Sequence, residues 1–192
     1  ECGGKSPHIV LPDARDLGLV RGLVCAAPGV FTSGDAIDVD LATTARCPRL
    51  LHRSPIRFHT GTVEVRGELL LLDRDELLPS QRCVARLELD EPTCCAPHDR
   101  FLLRLQNPPA TIGGGQVLRV EHTGRYRRRA LGDELRGILA AGDRPEARVQ
   151  HELEAAGPEG RPVDELARAL SCDERGVLDQ LQLMPGVLLH QK

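Results

Sequence analysis

The sequence has few aromatic residues, no tryptophan and almost no lysine. Aromatic side chains make up 2% of its 192 residues, as three phenylalanines and one tyrosine, so we expect an aliphatic core. A surface that binds single strands by stacking bases on aromatic rings is therefore disfavoured. The basic residues are nearly all arginine, with lysine only at Lys5 and Lys192. The net charge of −3 argues against a globally basic nucleic-acid-binding protein but allows a local arginine patch, because steering depends on where charges lie.

Patterns typical of a metal site, a disulfide framework or a membrane span are also absent from the sequence. The seven cysteines include no Cys-x-x-Cys pair, so we predict reduced and mostly core-filling thiols. No apolar run approaches the roughly 20 residues of a transmembrane helix, and no signal peptide is visible. We therefore expect a cytoplasmic protein with no membrane partner. Because Glu1 stands where an initiator Met would stand, we expect the chain to be part of a longer protein.

Two short motifs suggest nucleotide binding but do not fit its chemistry. The glycine run Gly113–Gly115 is not followed by the Lys-Ser/Thr of a phosphate loop. It predicts a tight bend or bulge between strands. Asp173 and Gly176 match the Asp-x-x-Gly of GTPases, but they fall at the start of a predicted helix with no phosphate loop before it. The histidines are scattered, so we predict that this chain is not an enzyme and holds no cofactor.

The first two thirds of the sequence predict β-strands. Residues 36–41 and 83–89 alternate apolar and polar side chains, and the second segment places Arg86 and Glu88 outward. A longer extended run covers residues 56–72, and turn-rich segments separate it from further candidate strands at 101–105 and 116–120. Short strands at this spacing are typical of a β-sandwich or a β-barrel.

The last third predicts helices. Apolar stripes indicate helices around Leu131–Leu139, Val149–Leu153 and Pro162–Leu170. A Ser171-x-x-Glu174 capping box predicts the start of a fourth helix, and residues 186–190 predict a closing strand. This outline is typical of a winged helix-turn-helix. The fourth helix is acidic, which favours a spacer or protein-docking role over contact with a nucleic-acid groove.

An arginine-rich segment lies between these two parts. Arg125, Arg127, Arg128 and Arg129 are interpreted as a solvated basic hinge, because charge runs are usually exposed.

Four segments, in the same order, resemble the end of the second domain and the third domain of elongation factor Tu: Arg21–Gly29, Phe58–Gly67, Asp99–Arg104 and Thr111–Val117. Within that superfamily, His59-Thr60-Gly61-Thr62 and the triple glycine are similar to the selenocysteine-specific elongation factor of bacteria. That family carries winged-helix domains after its third domain, and a winged-helix pattern follows here.

The resemblance implies a fold, a domain order and a set of partners. The fold would be an antiparallel β-barrel like the third domain of elongation factor Tu, followed by an α-rich winged-helix module. Residues 1–29 would be a remnant of the second domain, 30–121 the barrel and 122–192 the first winged-helix domain. The parent protein would deliver selenocysteyl-tRNA to the ribosome at recoded UGA codons. GTP and magnesium would bind a GTPase domain absent from this chain, and an mRNA hairpin would bind later domains.

Two lines of evidence indicate six tRNA-binding residues. One is the same resemblance, and the other is a small cluster of Arg, His and Thr side chains suited to phosphate or ribose contacts. The six residues are Arg57, His59, Thr60, Arg66, Gln106 and Asn107. Three alternatives remain open at this stage: a winged-helix regulator that binds nucleic acid, another factor like elongation factor Tu, and an enzyme of another class that uses His59 or a cysteine.

Overall fold

The computed structural model describes residues 23–24, 31, 33–142, 144–170, 172–184 and 186–187. The predicted second-domain remnant, residues 1–29, therefore lies outside the described residues except for Leu23 and Val24. The strands are β1 (Ser33–Thr43), β2 (Leu50–Leu51), β3 (Ser54–Thr60), β4 (Val63–Leu71), β5 (Glu76–Leu77), β6 (Arg82–Cys94), β7 (Arg100–Leu105) and β8 (Thr111–Glu121). The helices are α1 (Arg128–Ala141), α2 (Pro145–Ala156), α3 (Val163–Leu170) and α4 (Glu174–Leu183), with a short 3-10 helix at Gly157–Glu159.

Six strands form a closed antiparallel barrel in the order β1-β6-β4-β3-β7-β8, which confirms the predicted barrel. Alternate residues of each strand point inward, so the barrel fills with aliphatic side chains around Phe58 and Phe101, whose ring centroids lie 5.6 Å apart. The two-stranded sheet of β2 and β5 adds Leu50 and Leu77 to the same core. The low aromatic content thus corresponds to an aliphatic core, as predicted.

The glycine run lies inside β8, which corrects the predicted bend. These glycines pair with β1 and β7. The backbones of both strands approach β8 too closely for a side chain at these positions. A Cβ on Gly114 would lie 2.5 Å from the carbonyl oxygen of Phe101, and one on Gly113 would lie 2.5 Å from that of Ala42. The bulge sits just beside the run, where the register with β7 shifts between Leu103 and Arg104.

The described cysteines confirm the prediction of reduced, mostly core-filling thiols. Cys47, Cys83 and Cys95 are free and buried. Burial raises the pKa of the Cys83 and Cys95 thiols to about 12, so both are protonated at neutral pH and unreactive. Cys2 and Cys25 lie outside the described residues.

The first helix packs against the outer face of the barrel. Its buried side chains Leu131, Leu135 and Ile138 form a second core with three strand or strand-end residues, namely Leu72, Val84 and Leu118. The predicted solvated hinge is therefore wrong for Arg128, whose guanidinium donates to the carbonyl oxygens of Leu71 and Arg74 and pairs with Asp75. Arg125, Arg127 and Arg129 are exposed.

A row of charged residues lies beneath this helix. Asp38 on β1 faces Arg86 on β6 and Arg119 on β8 in the strand register. Arg86 donates to Asp38 at 2.7 and 2.9 Å, and its guanidinium carbon lies 4.7 Å from the centre of the Tyr126 ring. Arg86 points out of the barrel as predicted, yet only 3% of it is exposed because the chain around Tyr126 and α1 covers it.

The last three helices form a third cluster around Val149, Leu166 and Val177. The cap of α4 is Asp173, whose Oδ1 accepts from the Gly176 amide at 3.0 Å, rather than the predicted Ser171. Asp173 therefore caps the helix, whereas the sequence predicted it in the first turn. Gly186 and Val187 are not in a strand, and the rest of the predicted closing strand lies outside the described residues. The winged-helix assignment stays a prediction.

Candidate nucleic-acid interface

The hairpin of β3 and β4 presents most of the predicted site residues. Side chains alternate along β3, so that Ile56, Phe58 and Thr60 are buried while Arg57 and His59 point outward. The strands join through a two-residue turn in which Gly61 adopts a φ of +52°, a conformation that glycine accepts without strain.

The strand register brings three arginines into one row. Arg57 faces Arg66 on β4 and Arg104 on β7. Directly opposite side chains in antiparallel sheets have Cβ atoms roughly 4.5–5.5 Å apart, so these arginines are immediate neighbours. We call Arg66, Arg57 and Arg104 the open arginine row.

Among the described residues, a single carboxylate pairs with this row. Glu64 Oε1 lies 2.5 Å from Arg57 Nη1, and its Oε2 lies 3.9 Å from His59 Nδ1. The hydrogen bond from Arg57 lowers the pKa of Glu64 most, and the charges of His59, Arg57 and Arg104 lower it further. Arg66 and Arg104 are exposed, and no carboxylate among the described residues pairs with either. The open arginine row therefore keeps an excess of positive charge.

The loop between β7 and β8 borders the row. The Gln106 side-chain amide donates to the carbonyl oxygen of Ile56 at 3.1 Å, which ties the loop to β3. The Leu105 amide donates to the carbonyl oxygen of Ala110 at 2.9 Å and closes the loop. Asn107 is exposed and precedes a cis proline. Gln106 is thus partly engaged within the protein, while Asn107 is accessible to a ligand.

Thr60 does not lie with the other predicted residues. It is 9% exposed, and its hydroxyl donates to the carbonyl oxygen of Arg100 at 3.0 Å on the inner side of the sheet. Thr60 holds β3 to β7 and has no free hydroxyl on the outer face.

Two buried polar atoms of these outward-facing side chains have no hydrogen-bond partner among the described residues. They are Arg57 Nε and His59 Nε2. Buried polar atoms are usually paired, so these two atoms are unsatisfied among the described residues.

Arg104 was missed as a site residue. It lies in the predicted strand 101–105, and it belongs to one of the segments that resemble elongation factor Tu. Its neighbours became apparent only through the pairing of β3 with β7, which joins residues 47 positions apart, Arg57 and Arg104. The signal in the sequence was an arginine at an outward strand position, which alone is common.

Two further observations concern the chain as a whole. Within the described residues, no three His, Cys, Asp or Glu side chains gather into a group that could hold a metal ion. None of the described helices is long and apolar enough to span a membrane.

The protein is thus a closed antiparallel β-barrel with a row of arginines on its outer face. Residues 35–123 match the family model described as the beta-barrel domain of selenocysteine-specific elongation factor. The chain is also 32% identical over 171 residues to the selenocysteine-specific elongation factor of Desulfomicrobium baculatum, an alignment that covers 88% of this chain and 26% of that protein. The barrel therefore belongs to the family of selenocysteine-specific elongation factors, and the resemblance inferred from the sequence is confirmed. The chain spans about a quarter of the length of this relative.

Proposed function

We propose that the barrel binds the backbone of a tRNA through the open arginine row, assisted by His59, Gln106 and Asn107. The parent protein then delivers selenocysteyl-tRNA to the ribosome at recoded UGA codons. Arg104 joins the residues expected from the sequence, and Thr60 contributes only by holding β3 to β7. The observation that carries the proposal is the juxtaposition of three arginines with one carboxylate in a barrel of this family.

The arginine row has a cost for the folded protein. Like charges directly opposite in a sheet destabilise it by roughly a few tenths of a kcal/mol per pair. An anionic ligand offsets that cost, because guanidinium groups form strong, charge-assisted hydrogen bonds with phosphate. A backbone-binding surface needs such donors and no sequence-reading side chains.

The features of the surface fit RNA better than a DNA groove. A-form RNA is recognised largely through its shape, its phosphates and its 2′-hydroxyls, for which arginines, a histidine and an amide side chain are suitable partners. A DNA-binding winged helix would instead need a basic recognition helix. In α4, Asp173 at the cap and Glu174 and Asp179 in the helix oppose Arg175 alone.

The proposal extends to the other segments of the chain. Residues 122–192 form the first winged-helix domain and act as a spacer, since α1 packs on the barrel and α4 is acidic. Residues 1–29 are a remnant of the second domain. GTP and magnesium bind the GTPase domain of the parent, and an mRNA hairpin binds its later winged-helix domains. The chain itself has no catalytic role, and the protein acts in the cytoplasm.

Binding of the chain to a selenocysteine tRNA transcript across a salt series tests the proposal. Replacing Arg57, Arg66 and Arg104 by Ala removes three phosphate contacts, and each contact contributes roughly 0.7–0.9 to the slope of log affinity against log salt. We expect the slope to fall by about 2–3. The matched control replaces Arg46, Arg49 and Arg175, which are exposed arginines elsewhere.

The control variant changes the net charge by the same amount as the row variant but leaves the open arginine row intact. It should retain nearly all of the affinity and slope. Equal losses in both triple variants would contradict a defined site. A larger loss in the control variant than in the row variant would favour binding through the exposed arginines outside the row, among them Arg175 of the acidic helix.

A further inference from the structure

Glu64 occupies a singular position in the open arginine row. It is the residue opposite His59 in the hairpin, and its carboxylate contacts Arg57, the middle arginine. Glu68 lies on the same outer face of β4 but pairs with Arg53 at 2.7 Å, outside the row. Glu64 thus lies beside the middle arginine of the open arginine row.

This carboxylate remains ionised under ordinary conditions. The hydrogen bond from Arg57 and the nearby positive charges hold the pKa of Glu64 below its usual value of 4.5. About half of the Glu64 side chain and a third of the Arg57 side chain are exposed, so the ion pair can open toward a ligand.

A phosphate that binds Arg57 competes with Glu64 for the same guanidinium. Carboxylate and phosphate oxygens both accept hydrogen bonds from this donor fork, and two anions at one site repel each other. An RNA that also engages Arg66 and Arg104 gains contacts that offset the displacement of Glu64. A polyanion that reaches only one or two of the arginines does not gain enough.

We propose that Glu64 is a resident carboxylate that competes with RNA phosphate for Arg57, so that an RNA binds tightly only when its contacts with the rest of the open arginine row offset the displacement of Glu64. This inference rests on the proposed function, because it concerns the same surface. Discrimination commonly depends on such a repulsive group as well as on attractive contacts.

Replacing Glu64 by Gln tests the inference, because the amide keeps the side-chain shape and removes the charge. We expect Glu64→Gln to raise the affinity for a 20-base-pair RNA duplex by roughly two- to fivefold, the range of an exposed ion pair. The affinity for a selenocysteine tRNA transcript should rise by a similar factor, because its backbone also displaces Glu64 from Arg57. The matched control is Glu68→Gln, which removes the same charge from the same strand face and should change both affinities less.

A double-mutant cycle with Arg57→Ala separates competition at Arg57 from general repulsion. In the Arg57→Ala background the gain from Glu64→Gln should disappear. An equal gain in that background, an equal gain from Glu68→Gln, or a lower affinity in Glu64→Gln would overturn the inference. The last result would make Glu64 a residue that positions Arg57 for the ligand.

The failure of this inference is distinguishable from failure of the proposed function. If the triple arginine variant loses affinity but Glu64→Gln gains none, tRNA binding by the row is supported and the proposed role of Glu64 is refuted. If the triple variant binds as tightly as the unmutated chain, both proposals are refuted. The thermal unfolding temperatures of Glu64→Gln and Glu68→Gln should closely match that of the unmutated chain, which would show that both variants are folded.

Discussion

Two rows of charged residues cross the outside of the same barrel, and each spans three neighbouring strands in register. The covered row, under α1, consists of Arg86, Asp38 and Arg119 on β6, β1 and β8. The open arginine row consists of Arg66, Arg57 and Arg104 on β4, β3 and β7. The flanking residues are arginine in both rows. The middle residue is aspartate in one and arginine in the other.

This middle residue accounts for the different roles of the two faces. Asp38 is fully buried and receives hydrogen bonds from both arginines beside it. Burial disfavours the charged form of Arg86, but the Asp38 and Glu121 carboxylates outweigh this effect, so the pKa of Arg86 lies above its ordinary value. Carboxylates balance the positive charges of the covered row, and the row supports the packing of α1. The open row keeps excess positive charge that suits a phosphate backbone.

The largest expected effect on stability comes from breaking the covered row. Replacing Asp38 by Asn leaves Arg86 buried with only the half-exposed Glu121 as a counter-charge, at 3.0 Å. Removing one partner of a buried ion pair typically costs about 3–5 kcal/mol, so we expect a loss of about 3 kcal/mol in the free energy of unfolding. Urea denaturation followed by circular dichroism measures it.

Asp40→Asn is the matched control, because Asp40 is also buried on β1 but pairs with Arg82, whose side chain is 63% exposed. Arg82 can turn to solvent, so we expect a loss of about 1 kcal/mol or less, as for exposed pairs. Equal losses in the two variants would show that the covered row has no special role.

A smaller effect should depend on pH. Asp73 pairs with Arg136 of α1 at 3.2 Å, and the hydrogen bond from Arg74, chiefly, lowers the pKa of Asp73 below 3.8. A carboxyl whose pKa is lower in the folded than in the unfolded protein stabilises the fold above the unfolded pKa. That stabilisation is lost as the pH falls through the folded pKa.

Asp73→Asn should therefore reduce the free energy of unfolding by about 0.5–1 kcal/mol at pH 7. The difference in the free energy of unfolding between Asp73→Asn and the unmutated chain should narrow below about pH 4. Denaturation at a series of pH values measures both. A difference that is constant from pH 7 down to pH 3 would contradict an electrostatic role for Asp73 in holding α1.

The comparison also shows what the sequence could and could not predict. Alternation placed Arg86 and Glu88 on the outer face of their strand, since side-chain direction is a local property of a strand. Whether an outer face is covered is not local. Arg86 is buried because Tyr126 and α1, 40 or more residues later, lie over it.

The same limit applies to the site itself. Arg57 and Arg66 are close in sequence and were predicted together from the resemblance. The structure places them opposite each other, because a hairpin turn brings their strands side by side. Arg104 was missed because its pairing depends on which strand β3 meets on its other edge. The glycine run shows a related limit, since close approach of β1 and β7 to β8, rather than a turn, requires glycine there.

The open row should contribute little to stability and much to binding, and the variant Arg66→Ala/Arg104→Ala tests that claim most directly. These two arginines have no carboxylate partner in the described part of the chain, so removing them relieves repulsion on Arg57. We predict an unchanged or slightly higher free energy of unfolding, within roughly 0.5 kcal/mol. We also predict weaker binding to a selenocysteine tRNA transcript, with a salt slope reduced by about 1.5–2. A loss of stability above about 1 kcal/mol with unchanged tRNA affinity would contradict the account.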